Sequence, residues 1–297
     1  MRLLISLAVL AAVAACAGCN RDPGGAGAAA KPASSKQSPA QPPSATQAPS
    51  SPSPVVIFRG ADGRALTLDD LQGFSGSFSY EIVGKSNVSA EAELLHKQAR
   101  EAGVAGDAAK AMALFDQASN LAPQWPYPIY DKAFTYLLMS DNDNARRYYA
   151  KAVELAPRGF FTAITALDTL DREAKGELPQ GTYRSYLALE WASDQTVKAQ
   201  AAIQLAKRAP GFAPAWKELA MLADSDPDKL TAIEKGLAAN PDAETKGILL
   251  INKALIADRG GDRAGAIQLL GELALDPAST YATEHLAKAT LATMAKQ

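Results

Sequence analysis

The 297-residue chain contains two cysteines and two histidines, and only 7% of it is aromatic. Both cysteines, Cys16 and Cys19, lie within the first 20 residues. Everything after them therefore lacks a thiol nucleophile, a disulfide framework and a cysteine-based metal site. His96 and His285 stand far apart, and no H-E-x-x-H, G-x-S-x-G or S-x-x-K segment occurs. A histidine triad or metal site thus has no marked partners. Thirty Lys and Arg against 32 Asp and Glu leave a net charge of −2 with no long basic run. Without a row of cations to neutralise phosphates, nucleic acid is not an expected partner. The sequence points to no metal, no cofactor and no enzymatic activity.

Arg2 is followed by thirteen residues, Leu3 to Ala15, without a charge. That run is too short to span a bilayer, but it suits the core of an export signal. It leads into Val13-Ala14-Ala15-Cys16, which resembles the lipobox of bacterial lipoproteins. The resemblance implies cleavage before Cys16 and acylation of its thiol, with Cys19, after Cys16-Ala17-Gly18, as the alternative. In Gram-negative lipoproteins an aspartate after the acylated cysteine often signals inner-membrane retention. Ala17 or Asn20 in that place implies a lipid anchor in the outer membrane, facing the periplasm. Residues 1–15 are thus read as a signal peptide. Residues 16–54, rich in Ala, Pro and Ser, are read as a disordered tether that cannot bury a core. Over residues 55–88, the runs Val55 to Phe58 and Ser77 to Val83 alternate as strands do, with glycines between them. They predict a small β-hairpin packed on the first helices.

From Ser89 onward apolar residues recur at helical spacing. Ala111, Phe115, Ala118 and Pro123 reappear 34 residues later as Ala145, Tyr149, Ala152 and Pro157, and Ala99 reappears as Ala133. Small residues at paired sites let two antiparallel helices approach closely, and each proline ends the second helix. The pattern resembles the tetratricopeptide repeat, whose second helix carries A-x3-F-x2-A-x4-P. It implies an all-α solenoid over 89–297, of about five helical hairpins and a capping helix near Tyr281 to Ala295. Three later units are looser: Ala199-Ile203-Ala206-Pro210, Lys229-Ile233-Gly236-Pro241 and Gly265-Leu269-Glu272-Pro277. The 53 residues from Pro157 to Pro210 predict an extra helix over about Phe160 to Lys175, ahead of one at Tyr183 to Ala192. Asp226 before Pro227 is expected to cap another helix.

In tetratricopeptide proteins the first helices line a concave surface that holds peptides. On that face the second unit places Tyr127, Tyr130, Phe134 and Leu137 or Leu138, and the first unit places His96 and Arg100. An aromatic groove flanked by basic residues suits an apolar or aromatic peptide of an envelope protein. The other reading is that these rings pack against the inserted helix or the β segment. A second function class also stands: an envelope enzyme or peptidoglycan- or saccharide-binding module whose polar groups converge beside Tyr127 or Trp191. Gly84-Lys85-Ser86 lacks the first glycine of a phosphate loop. Asp224, Asp226 and Asp228 lack the glycine and closing glutamate of a calcium loop, and are expected to open a helix.

Overall fold

The computed structural model describes residues 55–60, 64–67, 78–83 and 88–295. The expected export signal with Cys16 and Cys19, the expected tether and Gly84-Lys85-Ser86 lie outside the described residues. Three strands, β1 (Val55–Gly60), β2 (Ala65–Leu66) and β3 (Phe78–Val83), form an antiparallel sheet in the order β2-β1-β3, with Phe58 opposite both Leu66 and Tyr80. Phe58 and Leu66 are buried in a cluster with Leu270, Leu286 and Met294. The β segment therefore packs on the last helices, where a place on the first ones was expected. Strand alternation shows that one face is apolar, but not which distant surface covers it.

Twelve helices follow among the described residues: α1 (Ala90–Val104), α2 (Ala108–Leu121), α3 (Pro126–Leu138), α4 (Asn142–Leu155), α5 (Ala163–Ala174), α6 (Thr182–Trp191), α7 (Gln195–Arg208), α8 (Ala213–Leu222), α9 (Asp226–Ala238), α10 (Ala243–Arg259), α11 (Arg263–Leu275) and α12 (Tyr281–Met294). Successive helices pack as antiparallel neighbours, most closely within the pairs α1–α2, α3–α4, α8–α9 and α10–α11. The arrangement is a tetratricopeptide-like stack of hairpins closed by α12. Helix α5 is the insertion that the 53-residue gap required.

The second helices share one register, set by their caps. Asp107, Asp141, Asp194, Ser225 and Asp262 each stand at an N-cap and accept a hydrogen bond from a backbone N–H in the first turn. Each cap satisfies a donor that the helix cannot. The residues four, eight and eleven positions beyond every cap are buried. They are Ala111, Phe115 and Ala118 in α2, and Ala145, Tyr149 and Ala152 in α4. Lys198, Ala202 and Leu205 follow in α7, Lys229, Ile233 and Gly236 in α9, and Ala266, Leu270 and Leu273 in α11. Two expected registers are thereby corrected by one residue. Ile203 is exposed in α7, and Glu272 is exposed in α11. Lysine at the first small site of α7 had hidden the right alignment. The cap of α9 is Ser225, whose hydroxyl accepts from the Asp228 amide; Asp226 is already helical and pairs with Arg259 at 2.8 Å.

The chain also closes on itself. A simple solenoid contacts only its neighbouring repeats, but here the loop before α5 meets the starts of α10 and α12. The Tyr281 amide donates to the Arg158 carbonyl at 2.9 Å. Arg158 donates through Nε to the Ser279 carbonyl, pairs with Glu284 and lies over the Tyr281 ring. Thr165 of α5 hydrogen-bonds Asp242 and Glu244 at the start of α10. Gly159, at φ +102°, lies beside Thr280 where a left-handed backbone is needed, a conformation glycine adopts without strain.

Candidate interaction face

Helix α3 carries most of the residues expected to bind a partner. It starts on Pro126, whose fixed φ suits a first helical position. The structure separates the expected stripe into buried and accessible parts. Tyr130 is 9% exposed, its ring packs edge-on against Tyr149 and Phe160, and its hydroxyl lies 2.9 Å from Thr162 Oγ1. Burial pushes that phenol well above its ordinary range. Leu137 is 1% exposed. Both belong to the core: the loop before α5 lies over Tyr130, and Leu137 belongs to the same buried cluster as Tyr149 and Leu189. The expectation that they line an open groove is corrected accordingly.

His96 is also buried. Its Nε2 lies 2.8 Å from Asp131 Oδ2, and its ring meets Phe115, Trp125 and Tyr127. Arg100 Nε stands 3.7 Å from the same Asp131 oxygen. Instead of flanking a groove as free cations, His96 and Arg100 tie the first hairpin to the second through Asp131, a residue that no sequence motif marks. Tyr127 is partly buried, with Trp125, Phe160 and Phe161 around it.

Phe134 and Leu138 remain. Phe134 is partly buried and its ring lies edge-on to Trp191 of α6, at 5.9 Å between centroids. Leu138 is 61% exposed and Trp191 52%. Val104, 34 residues before Leu138, is 70% exposed. Val104, Leu138 and Trp191 each stand three residues ahead of a second-helix cap: Asp107, Asp141 and Asp194. They therefore occupy one repeat position at the ends of three first helices, with Met139, also exposed, beside Leu138. Single exposed apolar side chains need no explanation, whereas these three share one repeat position.

Behind Trp191 lies a buried charge cluster. Lys217 and Glu218 of α8 pair at 3.0 Å, Lys198 of α7 lies 3.2 Å from Glu218, and Lys217 donates to the Tyr186 hydroxyl at 2.7 Å and stands 3.8 Å from Glu190 of α6. Burial raises the Glu190 carboxyl to about 7, against the pull of Lys217. Burial would raise Glu218 as well, but the charge of Lys217 overcomes it and holds that carboxyl below its ordinary range. Two lysines thus face one carboxylate held ionised and one that burial pushes toward its neutral form. The cluster joins three helices and faces no open surface, which makes it a connector between hairpins. Its lysines occupy repeat sites where small residues were sought, and the spacing from each cap is the signal that finds them.

Among the described residues, no group of three or more His, Cys, Asp or Glu could hold a metal ion, and no helix is long and apolar enough to cross a membrane. No family model and no characterised protein matches the sequence. Among solved structures the chain is similar to MamA of Desulfovibrio magneticus RS-1, at 15% identity over 62% of this chain and 94% of that one, with a TM-score of 0.30. It is likewise similar to TTC0263, a thermophilic TPR protein of Thermus thermophilus, at 14% identity over 69% and 100%, TM-score 0.30. A third is PilW, described as a widely conserved type IV pilus biogenesis factor, at 18% identity over 62% and 93%, TM-score 0.27. Likeness at this level says nothing of a partner.

Proposed function

We propose that the chain is a non-catalytic adaptor that holds a protein or peptide partner on the apolar row of Val104, Leu138 and Trp191. The observation that carries this reading is the recurrence of exposed apolar side chains at one repeat position in successive first helices. The packing of Phe134 against Trp191 supports it by backing the row with a ring already held in place. Anchors held rigidly lose little side-chain entropy on binding. The lipobox-like Val13 to Cys16 and the Pro-rich segment after it suggest a lipid anchor at the periplasmic face of the outer membrane. A tether of that composition and roughly 35 residues averages about 30 to 35 Å end to end as a coil, and proline can lengthen it further. The partner is then an envelope protein within that reach.

A saccharide site would need free polar groups converging beside Tyr127 or Trp191; the imidazole beside Tyr127 is buried and paired with Asp131, and the ring beside Trp191 is Phe134. The test is a photo-cross-linking residue placed at 138, at 191 or at the control position 275, where Leu275 is exposed on α11. In intact cells the first two positions are expected to capture one common protein, and 275 is not. Capture at 275 alone, or different proteins at 138 and 191, contradicts the proposal.

A further inference from the structure

The contact that closes the stack contains one hydrogen fewer than its oxygens require. Thr165 Oγ1 stands 2.9 Å from Asp242 Oδ1 and 2.8 Å from Glu244 Oε2. A hydroxyl has a single proton to give, so it cannot donate to both. Asp242 is otherwise well supplied. Its Oδ1 accepts the Glu244 and Thr245 amides at 3.0 and 3.1 Å, and its Oδ2 accepts the Thr245 hydroxyl at 2.6 Å. Glu244 is less well supplied: Oε2 also accepts the Thr165 amide at 3.1 Å, and Oε1 is buried with no hydrogen bond of its own, though the Ile164 amide at the start of α5 lies toward the carboxyl.

Among the described residues no cation pairs with Glu244: Lys217 of α8 acts on Asp242 but is paired with Glu218, and Arg172 of α5 is held by Asp168 and the Gly211 carbonyl. Asp168 on α5 faces Asp242, and the hydroxyls of Tyr130 and Tyr183, from α3 and α6, lie toward Glu244. Arg158, from the loop before α5, is taken by Glu284 of α12 and the Ser279 carbonyl. Two ionised carboxylates sharing one hydroxyl in a dry site repel each other, and one contact becomes oxygen against oxygen. A proton on Glu244 Oε2 resolves this. Glu244 then donates to Thr165 Oγ1, and the Thr165 hydroxyl donates to Asp242 Oδ1.

We propose that the stack is closed by a proton-held clasp, in which one proton carried by Glu244 links it through Thr165 to Asp242, and whose loss in mild alkali parts α5 from α10. The loop before α5 carries Phe160 and Phe161, which pack on Tyr127 and Tyr130. Opening the clasp therefore loosens the packing of that loop on α3, the helix that carries Leu138. Burial, reinforced by the charge of Asp242, holds the Glu244 carboxyl up to about 8. The folded chain keeps this proton where the unfolded chain has lost it. Stability accordingly falls as pH rises from about 4.5 to about 8, by up to tenfold in the unfolding constant per pH unit, and then levels.

The test is hydrogen exchange of the full chain between pH 6 and 9, with Glu244→Gln as the comparison. The neutral amide can donate to Thr165 at any pH. In the natural chain the Thr165 and Thr245 amides are expected to exchange with a pH dependence steeper than that of an unprotected amide, with the excess absent from Glu244→Gln. A slope for Thr165 in the natural chain no steeper than that of an unprotected amide overturns the proposal, whether or not the variant folds. An excess slope that survives in a folded Glu244→Gln overturns it as well.

Discussion

Burial and charge at single positions are where the sequence pattern and the structure part. Ala99, Ala111, Ala133 and Ala145 are all fully buried, as the 34-residue spacing requires of residues at helix crossings. Lys198 and Lys229 occupy the same site in later hairpins, and Lys217 lies beside them in the core. A lysine in a helix reads as a surface residue until its partner is known: Lys198 meets Glu218 and Lys217 meets Glu190 on other helices, and Lys229 meets Asp226 one turn away. Lys217→Met leaves Glu218 and Glu190 without their shared cation, and is expected to cost about 3–5 kcal/mol. The double change Lys217→Met/Glu218→Leu, which removes the central pair together, is expected to cost markedly less. Urea midpoints of the two variants check this, and a double variant less stable than the single one contradicts it. Tyr130 gives a second case. As a core ring, its truncation to alanine is expected to cost about 3–5 kcal/mol, whereas a groove residue would leave the midpoint in place.

Helices were legible in this sequence because their caps and breaks are local. The expected insert over about 160–175 and its successor near 183–192 appear as α5 and α6 within a few residues. Strands β1 and β3 also fall where alternation put them. What local pattern could not show is which element each face meets. The β segment was expected beside α1, but its buried residues lie against α11 and α12. The five second-helix caps offered a better register than the prolines, because the buried sites are counted from the first turn of the same helix. Asp141→Ala removes the acceptor for the Asn144 amide, and is expected to lower the midpoint of a denaturant titration. Gly236 tests the crossing of α9 and α10. In a helix interior alanine is ordinarily better than glycine by about 1 kcal/mol. Here a β-carbon at 236 would stand 2.9 Å from Leu249 Cδ1 and 3.2 Å from Trp216 Cβ. Gly236→Ala is therefore expected to destabilise by about 1–3 kcal/mol through overpacking. A raised melting temperature would mean that the two helices can move apart at little cost.

At the scale of the whole molecule, the stack is held by its nearest-neighbour hairpins and by the closure between α5, α10 and α12. The closure joins residues 77 to 126 positions apart, such as Thr165 with Asp242 and Arg158 with Glu284, and nothing periodic in the sequence announces it. The loop before α5 lies over Tyr130 and buries it, while Val104, Leu138 and Trp191 at the ends of first helices stay exposed. Leu138, its helix and Trp191 were legible in the sequence, but helical spacing alone put the binding stripe one face too deep. The most direct test of the central claim is the triple change Val104→Ser/Leu138→Ser/Trp191→Ser, assayed by partner recovery after cross-linking in intact cells. Anchors of this kind typically lose about 2 kcal/mol or more each when truncated, so recovery is expected to fall at least tenfold. Helicity and urea midpoint are expected to stay close to those of the natural chain, because all three side chains are more than half exposed. Undiminished recovery of the same partner from the folded triple variant would contradict the account.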